Sequence, residues 1–256
     1  MIMADISVTF FSKALNRRVS FNMYIPNDDP GEENGKMKVL FLLHGYTGDG
    51  RSWVPEQLAQ KYNFAVVTPN GENGFWLDGL STGHKYCTYV GSELVDYIRR
   101  TFGLGFTPDD TYIMGLSMGG FGALHTAFTY PETFGKAAAM SSALIIHEIA
   151  GKKPGFDNGM ANYDYYHECF GDLDTVEESD SNPEVLVKRL KEKGTVPVIY
   201  MSCGTEDFLI ENNRQFHSYL ESIGVPHTYI ESKGTHDMNF WNEYTEKFIG
   251  LMFEGA

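Results

Sequence analysis

Thr111-Tyr112-Ile113-Met114-Gly115-Leu116-Ser117-Met118-Gly119-Gly120-Phe121-Gly122-Ala123 is the stretch that decides the fold. Tyr112 to Met114 read as a short buried strand, and the small and apolar residues from Phe121 onward read as a helix. Between them Gly115-Leu116-Ser117-Met118-Gly119 fits Gly-x-Ser-x-Gly in the strand–turn–helix setting that this pattern requires. The chemistry explains the spacing. A nucleophilic serine must sit on a turn so tight that its hydroxyl is pushed off the end of the sheet, and a side chain at either flanking glycine would collide with the neighbouring strand or helix. Gly120 and Gly122 extend that logic, because they let the helix lie close to the sheet with its N-terminus aimed at developing negative charge. The plainer alternative, a glycine-rich turn that merely packs, does not call for this many glycines.

Working outward, the chain alternates strands and helices. Upstream, Ile6 to Phe11 and Arg18 to Ile25 read as an antiparallel edge pair, and Asn27 to Lys36 as a solvated loop. Val39 to Leu43 is a continuous apolar run, as expected of a central parallel strand covered on both faces. It leads into His44-Gly45-Tyr46-Thr47-Gly48-Asp49-Gly50 and a helix from Ser52 to Gln60, then a strand at Phe64 to Thr68. The loop Asn70 to Tyr86 carries Phe75, Trp76 and Leu77, and Cys87 to Phe102 has helical period. Downstream of the serine helix, which runs to about Tyr130, Lys136 to Met140 is another strand. Ala143 to Gly194 then breaks the rhythm and reads as a cap-like insertion over the carboxyl ends of the strands. Its last helix starts at Asn182-Pro183 and stops at Gly194. Val196 to Met201, a helix from Glu211 to Ile223, His227 to Ile230 and a final helix from Asn239 to Phe253 complete the order. The expectation is one α/β domain over residues 1–256, with a doubly wound, mostly parallel sheet and the insertion at 143–194.

Composition narrows the function. A net charge of −14 over 256 residues would repel nucleic acid and anionic membrane. Three scattered cysteines, Cys87, Cys169 and Cys203, show no metal-ligand or disulfide spacing and suit a reducing, cytoplasmic setting. Met1 to Phe11 lacks the pattern of a secretory signal, and no apolar run is long enough to span a membrane. Asp172 to Glu178 is acidic but lacks the spacing and glycine of a calcium loop, so no metal and no cofactor is expected.

A serine on such a turn needs a base to take its proton and an acid to hold that base's tautomer, in the order Ser, acid, His. Asp207 follows one late strand in Cys203-Gly-Thr-Glu-Asp-Phe-Leu209, and His236 follows the next in Gly234-Thr-His-Asp237. Glu206 remains the rival acid; Asp237 adjoins His236, where side-chain geometry works against a pair. Of the other histidines, His44 reads as shaping its turn, His125 and His217 fall in helices, His84, His147 and His167 fall in loops, and His227 opens a strand. The tetrahedral intermediate needs two backbone N–H donors, expected at Met118 and at Tyr46. Phe75, Trp76, Tyr163, Tyr165, Tyr166, Met238, Phe240 and Trp241 are candidate substrate walls, although most aromatics of this kind simply pack.

At His44-Gly-Tyr-Thr-Gly-Asp-Gly50, Gly115-Leu-Ser-Met-Gly-Gly-Phe-Gly-Ala123, Cys203-Gly-Thr-Glu-Asp-Phe-Leu209 and Gly234-Thr-His-Asp237 the chain resembles the putative-esterase branch of the α/β-hydrolases. That branch includes tributyrin, acetyl and feruloyl esterases, S-formylglutathione hydrolase and the mycolyltransferases, and the likeness runs from about Ile6 to Phe253. It implies an α/β-hydrolase fold, with Ser117 as nucleophile, Asp207 as acid, His236 as base, and Tyr46 and Met118 as oxyanion donors. One departure is Met238, where the family often has tryptophan two residues after the histidine. The expected activity is a serine carboxylesterase acting on short-chain, acetyl or feruloyl-type esters, acylated carbohydrates among them, through an acyl-enzyme. The alternatives are a thioesterase of the S-formylglutathione hydrolase type, an acyltransferase, or a catalytically silent binding module. A homo-oligomer is compatible with all of them.

Overall fold

Strand β3 (Lys38–Leu43) shows why a sheet forms with both faces covered. Val39, Phe41 and Leu43 enter one apolar cluster, while Leu40 and Leu42 enter a second cluster on the opposite face. The same period-two division separates Ile113 from Tyr112 and Met114, and Ala137 and Ala139 from Ala138 and Met140. In the computed structural model, which describes residues 3–27, 37–51 and 53–253, these strands belong to an eight-stranded sheet. The strands are β1 (Met3–Ser12), β2 (Arg17–Pro26), β3, β4 (Phe64–Pro69), β5 (Thr111–Leu116), β6 (Lys136–Met140), β7 (Val198–Gly204) and β8 (Thr228–Ser232). They lie in the order β1-β2-β4-β3-β5-β6-β7-β8. The β1–β2 and β2–β4 pairs are antiparallel and all later pairs parallel.

The helices are α1 (Glu56–Tyr62), α2 (Tyr86–Thr88), α3 (Val95–Phe102), α4 (Met118–Thr129), α5 (Ile146–Ile149), α6 (Tyr163–Phe170), α7 (Pro183–Lys193), α8 (Ile210–Ser222) and α9 (Met238–Phe253). A π-helical stretch, Tyr89–Leu94, joins α2 to α3. Ala59 of α1 and the apolar stripe of α9 (Tyr244, Phe248, Met252) cover one face of the sheet. Residues of α2 to α4, α7 and α8 cover the other. The connection from β3 to β4 runs one way along the sheet, and β5 returns to the other side of β3. This reversal opens a crevice beyond the carboxyl ends of β3 and β5, where open α/β sheets place their ligands.

The structure moves several expected boundaries. Beyond Asn27, the expected loop to Lys36 lies outside the described residues up to Gly35 and Lys36, as does Ser52. Helix α1 starts at Glu56, not Ser52, because Pro55 stands just before it and a proline pushes its predecessor out of helical geometry. Strand β7 starts at Val198, not Val196, since Pro197 has no N–H to donate, and it runs on to Gly204. Strand β8 likewise starts one residue late, at Thr228. His147 and His167 lie in α5 and α6 and not in loops; helices of four and eight residues are too short to declare a period. Helix α7 behaves as its sequence requires: the Asn182 side chain accepts from the Glu184 N–H, Pro183 opens the helix, and Gly194 closes it in left-handed geometry at φ 69°.

Candidate active site

Ser117 stands between β5 and α4 with φ 54° and ψ −121°, a left-handed backbone that a side chain tolerates only under constraint. The constraint is visible on every side. Its N–H donates to the Met140 carbonyl at 2.9 Å, and its carbonyl accepts from Ala143 at 3.0 Å and Phe121 at 3.1 Å. Helix α4 lies so close to the sheet that a methyl group at Gly119 would collide with the Leu43 carbonyl, and one at Gly115 with the Gly119 carbonyl. The first N–H groups of α4, starting at Met118, therefore face the region beyond the Ser117 hydroxyl.

Three loops meet there. Ser117 Oγ lies 3.0 Å from His236 Nε2. His236 Nδ1 lies 2.9 Å from Asp207 Oδ2 and 3.1 Å from Oδ1. With the carboxylate accepting from Nδ1–H, Nε2 is left bare to accept the serine proton. The Asp207 side chain is fully buried, and burial alone would raise its pKa. Hydrogen bonds from His236, the Leu209 N–H (2.9 Å) and Ser141 overcome that and hold it below the usual carboxylate range. The His236 ring is held between Phe208 (centroids 4.5 Å apart) and the edge of Trp241 (4.9 Å).

The rival acids are elsewhere. Glu206 is exposed, its backbone N–H tied to the Gly234 carbonyl at 2.9 Å. Asp237 accepts from the Asn239 and Phe240 N–H groups at 2.8 and 3.1 Å, so it caps α9. His44 is buried and held in one tautomer: Nδ1–H donates to the Gly45 carbonyl at 2.8 Å, and Nε2 accepts from the Gly71 N–H at 3.0 Å. Burial lowers its pKa and keeps it neutral. It shapes the loop that carries Tyr46 past the serine; a methyl group on Gly45 would lie 3.3 Å from Ser117 Cβ.

Above these residues opens a cavity of about 640 Å³. Tyr46, Met118, Ser117 and His236 line it, as do Phe75, Met238, Trp241 and Tyr166 among the expected walls. Trp76, Tyr163, Tyr165 and Phe240 do not, and these are corrections. Trp76 is fully buried, packed on Gly122 with its Nε1–H on the His44 carbonyl at 3.2 Å; its neighbour Phe75 reaches the cavity instead. Tyr165 donates to the Asn73 carbonyl at 2.5 Å and packs edge-on against Tyr46. Tyr163 stacks on His167. On α6 Tyr165 lies about 160° round the helix from Tyr163, so the three cannot all face one wall; Tyr163, in the first turn, is instead taken up by His167.

Sequence reasoning passed over Ser141, Phe208, Glu148 and Asn158. Ser141 follows β6 with φ 45° and is fully buried. Its Oγ accepts from Trp241 Nε1–H at 3.1 Å, and its hydroxyl is a hydrogen-bond partner of Asp207. Its location after a strand was a usable signal, but its partners come from α9 and the β7 loop. Ser141→Ala is expected to make the Asp207 carboxylate more basic, since it removes one of the hydrogen bonds that hold it below the usual range. The acid limb of the kcat/KM profile should then move to higher pH, and unfolding should cost about 1–3 kcal/mol less because the Trp241 N–H is orphaned. An unchanged pH profile in a folded variant would remove Ser141 from the support of the acid.

An eight-stranded, mostly parallel sheet with a serine on the strand–helix turn at its switch point is the α/β-hydrolase fold of serine hydrolases. The family described as Putative esterase matches residues 12–249, and the chain belongs to it. It is 40% identical over 253 residues to an acetyl esterase of Caldicellulosiruptor saccharolyticus, covering 94% of this chain and 95% of that one. Among solved structures, the fluorophosphonate-binding serine hydrolase F of Staphylococcus aureus superposes with a TM-score of 0.83 at 26% identity, covering 98% of both chains. An S-formylglutathione hydrolase of the same organism superposes at 0.82 with 27% identity, covering 98% and 99%. The chain is a serine carboxylic-ester hydrolase and its substrates are esters. Among the described residues no helix is long and apolar enough to cross a membrane.

Proposed function

We propose that Ser117 attacks the carbonyl carbon of an acetyl or similarly short acyl ester bound in the cavity, with His236 as base and Asp207 as acid. The observation that carries this reading is the unbroken series of hydrogen bonds, Ser117 Oγ to His236 Nε2 at 3.0 Å and His236 Nδ1 to Asp207 at 2.9 Å, beneath a cavity open to solvent. As the serine oxygen bonds to carbon, its proton passes to Nε2 and the carbonyl π electrons move onto oxygen. The N–H groups of Met118 and Tyr46 receive that oxyanion. Collapse of the intermediate breaks the carbon–oxygen bond to the alcohol, which leaves with the imidazolium proton. Water, deprotonated by the same imidazole, then releases the acid and restores the serine.

The acetyl preference is supported by the 40% identical acetyl esterase. Charge supports a neutral substrate, acylated carbohydrates included: among the described residues lining the cavity there is no lysine or arginine, and Glu148 is present. A glutathione thioester, with its carboxylates, finds no counter-ion there. The segment 143–194 acts as a cap in this reading, since Ala143, Ile145, Glu148, Asn158, Met160 and Tyr166 all line the cavity. Three free, buried cysteines suit a cytoplasmic setting. The test is kcat/KM across p-nitrophenyl esters from acetate to decanoate, with methyl ferulate, acetylated xylan and S-formylglutathione. The acetate should lead the series. An S-formylglutathione value exceeding it tenfold would replace this reading with a thioesterase.

A further inference from the structure

Oxidisable side chains are distributed unevenly in this molecule. All three cysteines are free and buried. Burial pushes the pKa of each thiol up to about 12, so none is a thiolate at neutral pH. Most methionines are equally sheltered. Met114, Met140 and Met201 lie within the sheet with no exposed surface, and Met3, Met23 and Met252 are buried as well. Met118 lines the cavity above Ser117 yet is only 1% exposed, and Met37 packs half-buried against the core.

Met160 and Met238 differ. At 55% and 39% exposure they are the only exposed methionines among the described residues, and both line that cavity. They reach it from different parts of the fold. Met160 lies in the insertion, where Asn158 Oδ1 accepts from its N–H at 3.1 Å. Met238 opens α9 two residues after His236, and Asp237 holds that turn by accepting from the Asn239 and Phe240 N–H groups. The backbone at each position is fixed while the side chain meets solvent.

A thioether needs no deprotonation to react, so access governs its oxidation by a hydroperoxide. The sulfur lone pair attacks one peroxide oxygen and the O–O bond breaks. Sulfur becomes the sulfoxide, giving up two electrons, and hydrogen peroxide is reduced to water. The new oxygen is a hydrogen-bond acceptor in a cavity also lined by Ile145, Phe208 and Leu209, apolar side chains that offer it no donor. We propose that Met160 and Met238 are the sites at which hydroperoxides modify this enzyme, and that their sulfoxides reversibly slow its hydrolysis. Given the serine mechanism proposed above, any ester that Ser117 takes shares the cavity with these oxygens, so the effect does not depend on the acyl group.

The experiment treats wild type and the double variant Met160→Leu, Met238→Leu with hydrogen peroxide, then removes the peroxide with catalase. It measures kcat/KM on p-nitrophenyl acetate, each protein against its own untreated value. Peptide mass mapping locates the added oxygen, and melting temperatures control for the fold. In wild type, oxygen should appear at Met160 and Met238 before any other methionine or cysteine. Its kcat/KM should then fall about tenfold, the scale of a polar group placed without a partner among apolar ones. The same treatment should cost the double variant less than about twofold, because leucine keeps the apolar wall and has no sulfur. Methionine sulfoxide reductases A and B with dithiothreitol, which carry the oxygen off as water while the dithiol becomes a disulfide, should restore wild type. Oxygen appearing first at other residues would overturn this assignment. So would a double variant that loses as much as wild type, full activity in wild type oxidised at both sites, or activity that stays low once mapping shows both oxygens removed. Untreated, folded wild type that is inactive on the ester would defeat the proposed function, and with it the claim of slowed hydrolysis, while the oxygen map would still decide the modification sites.

Discussion

Ser117→Ala should lower kcat on p-nitrophenyl acetate by about 10³-fold or more, with KM and melting temperature close to wild type. The reason is that Oγ is the atom proposed to bond to the acyl carbon, and nothing else in the described cavity lies within reach of His236 Nε2 to replace it. His236→Ala should be similarly damaging, since the serine hydroxyl is a weak nucleophile without a base. Combining the two should cost little more than either alone, because members of such a unit do not contribute additively. What survives would come from binding and from the Met118 and Tyr46 N–H groups. Single-turnover measurement with the acetate ester is the check: a burst of p-nitrophenol in wild type, lost in Ser117→Ala. Full turnover by folded Ser117→Ala protein would sink the serine mechanism.

The second large effect is expected at Asp207. In Asp207→Asn the geometry should persist, but the amide can donate to Nδ1 and so hold the wrong tautomer, with Nε2–H facing the serine; kcat should drop by about 10⁴-fold at neutral pH. Glu206→Gln should change kcat little, since Glu206 points to solvent. Equal losses in both variants, or loss confined to Glu206→Gln, would move the assignment. The folded pKa of Asp207 lies below its ordinary value, so the stability this buried carboxylate contributes is present above the unfolded pKa and is lost as pH falls through the folded one. Asp207→Asn should therefore flatten the acid side of the stability profile, which thermal melts between pH 3 and 7 would show.

Much of this molecule was determined by the sequence alone, for reasons that are local. The continuous apolar runs at Val39–Leu43 and Tyr112–Met114 require burial on both faces wherever they are placed. The glycines around Ser117 are demanded by atoms only a few residues away or on the adjoining strand. The order of Ser117, Asp207 and His236, each just past a strand end, follows from chain connectivity once parallel strands are accepted, and the folded chain brings the three within hydrogen-bonding distance. Helix ends marked by Asn182-Pro183 and Gly194 were equally legible. What only the tertiary structure decided is which side chains face the cavity. Tyr163, Tyr165 and Tyr166 are alike in the sequence, yet helix phase and the packing of α6 on Asn73 and Tyr46 leave Tyr166 alone of the three at the cavity. Trp76 and Phe75 are neighbours in a loop with no period to read; the absence of a side chain at Gly122 lets the tryptophan pack against α4, and the phenylalanine, itself buried, is the one of the two that lines the cavity. Ser141 became a partner of Asp207 because β6, β7 and α9 converge from positions about a hundred residues apart. Glu148, from a short helix, and Asn158, from an irregular loop, line the same cavity as Tyr166, and neither placement has a period to announce it. Contacts of that kind depend on the direction of each side chain in space, and no spacing along the chain encodes it.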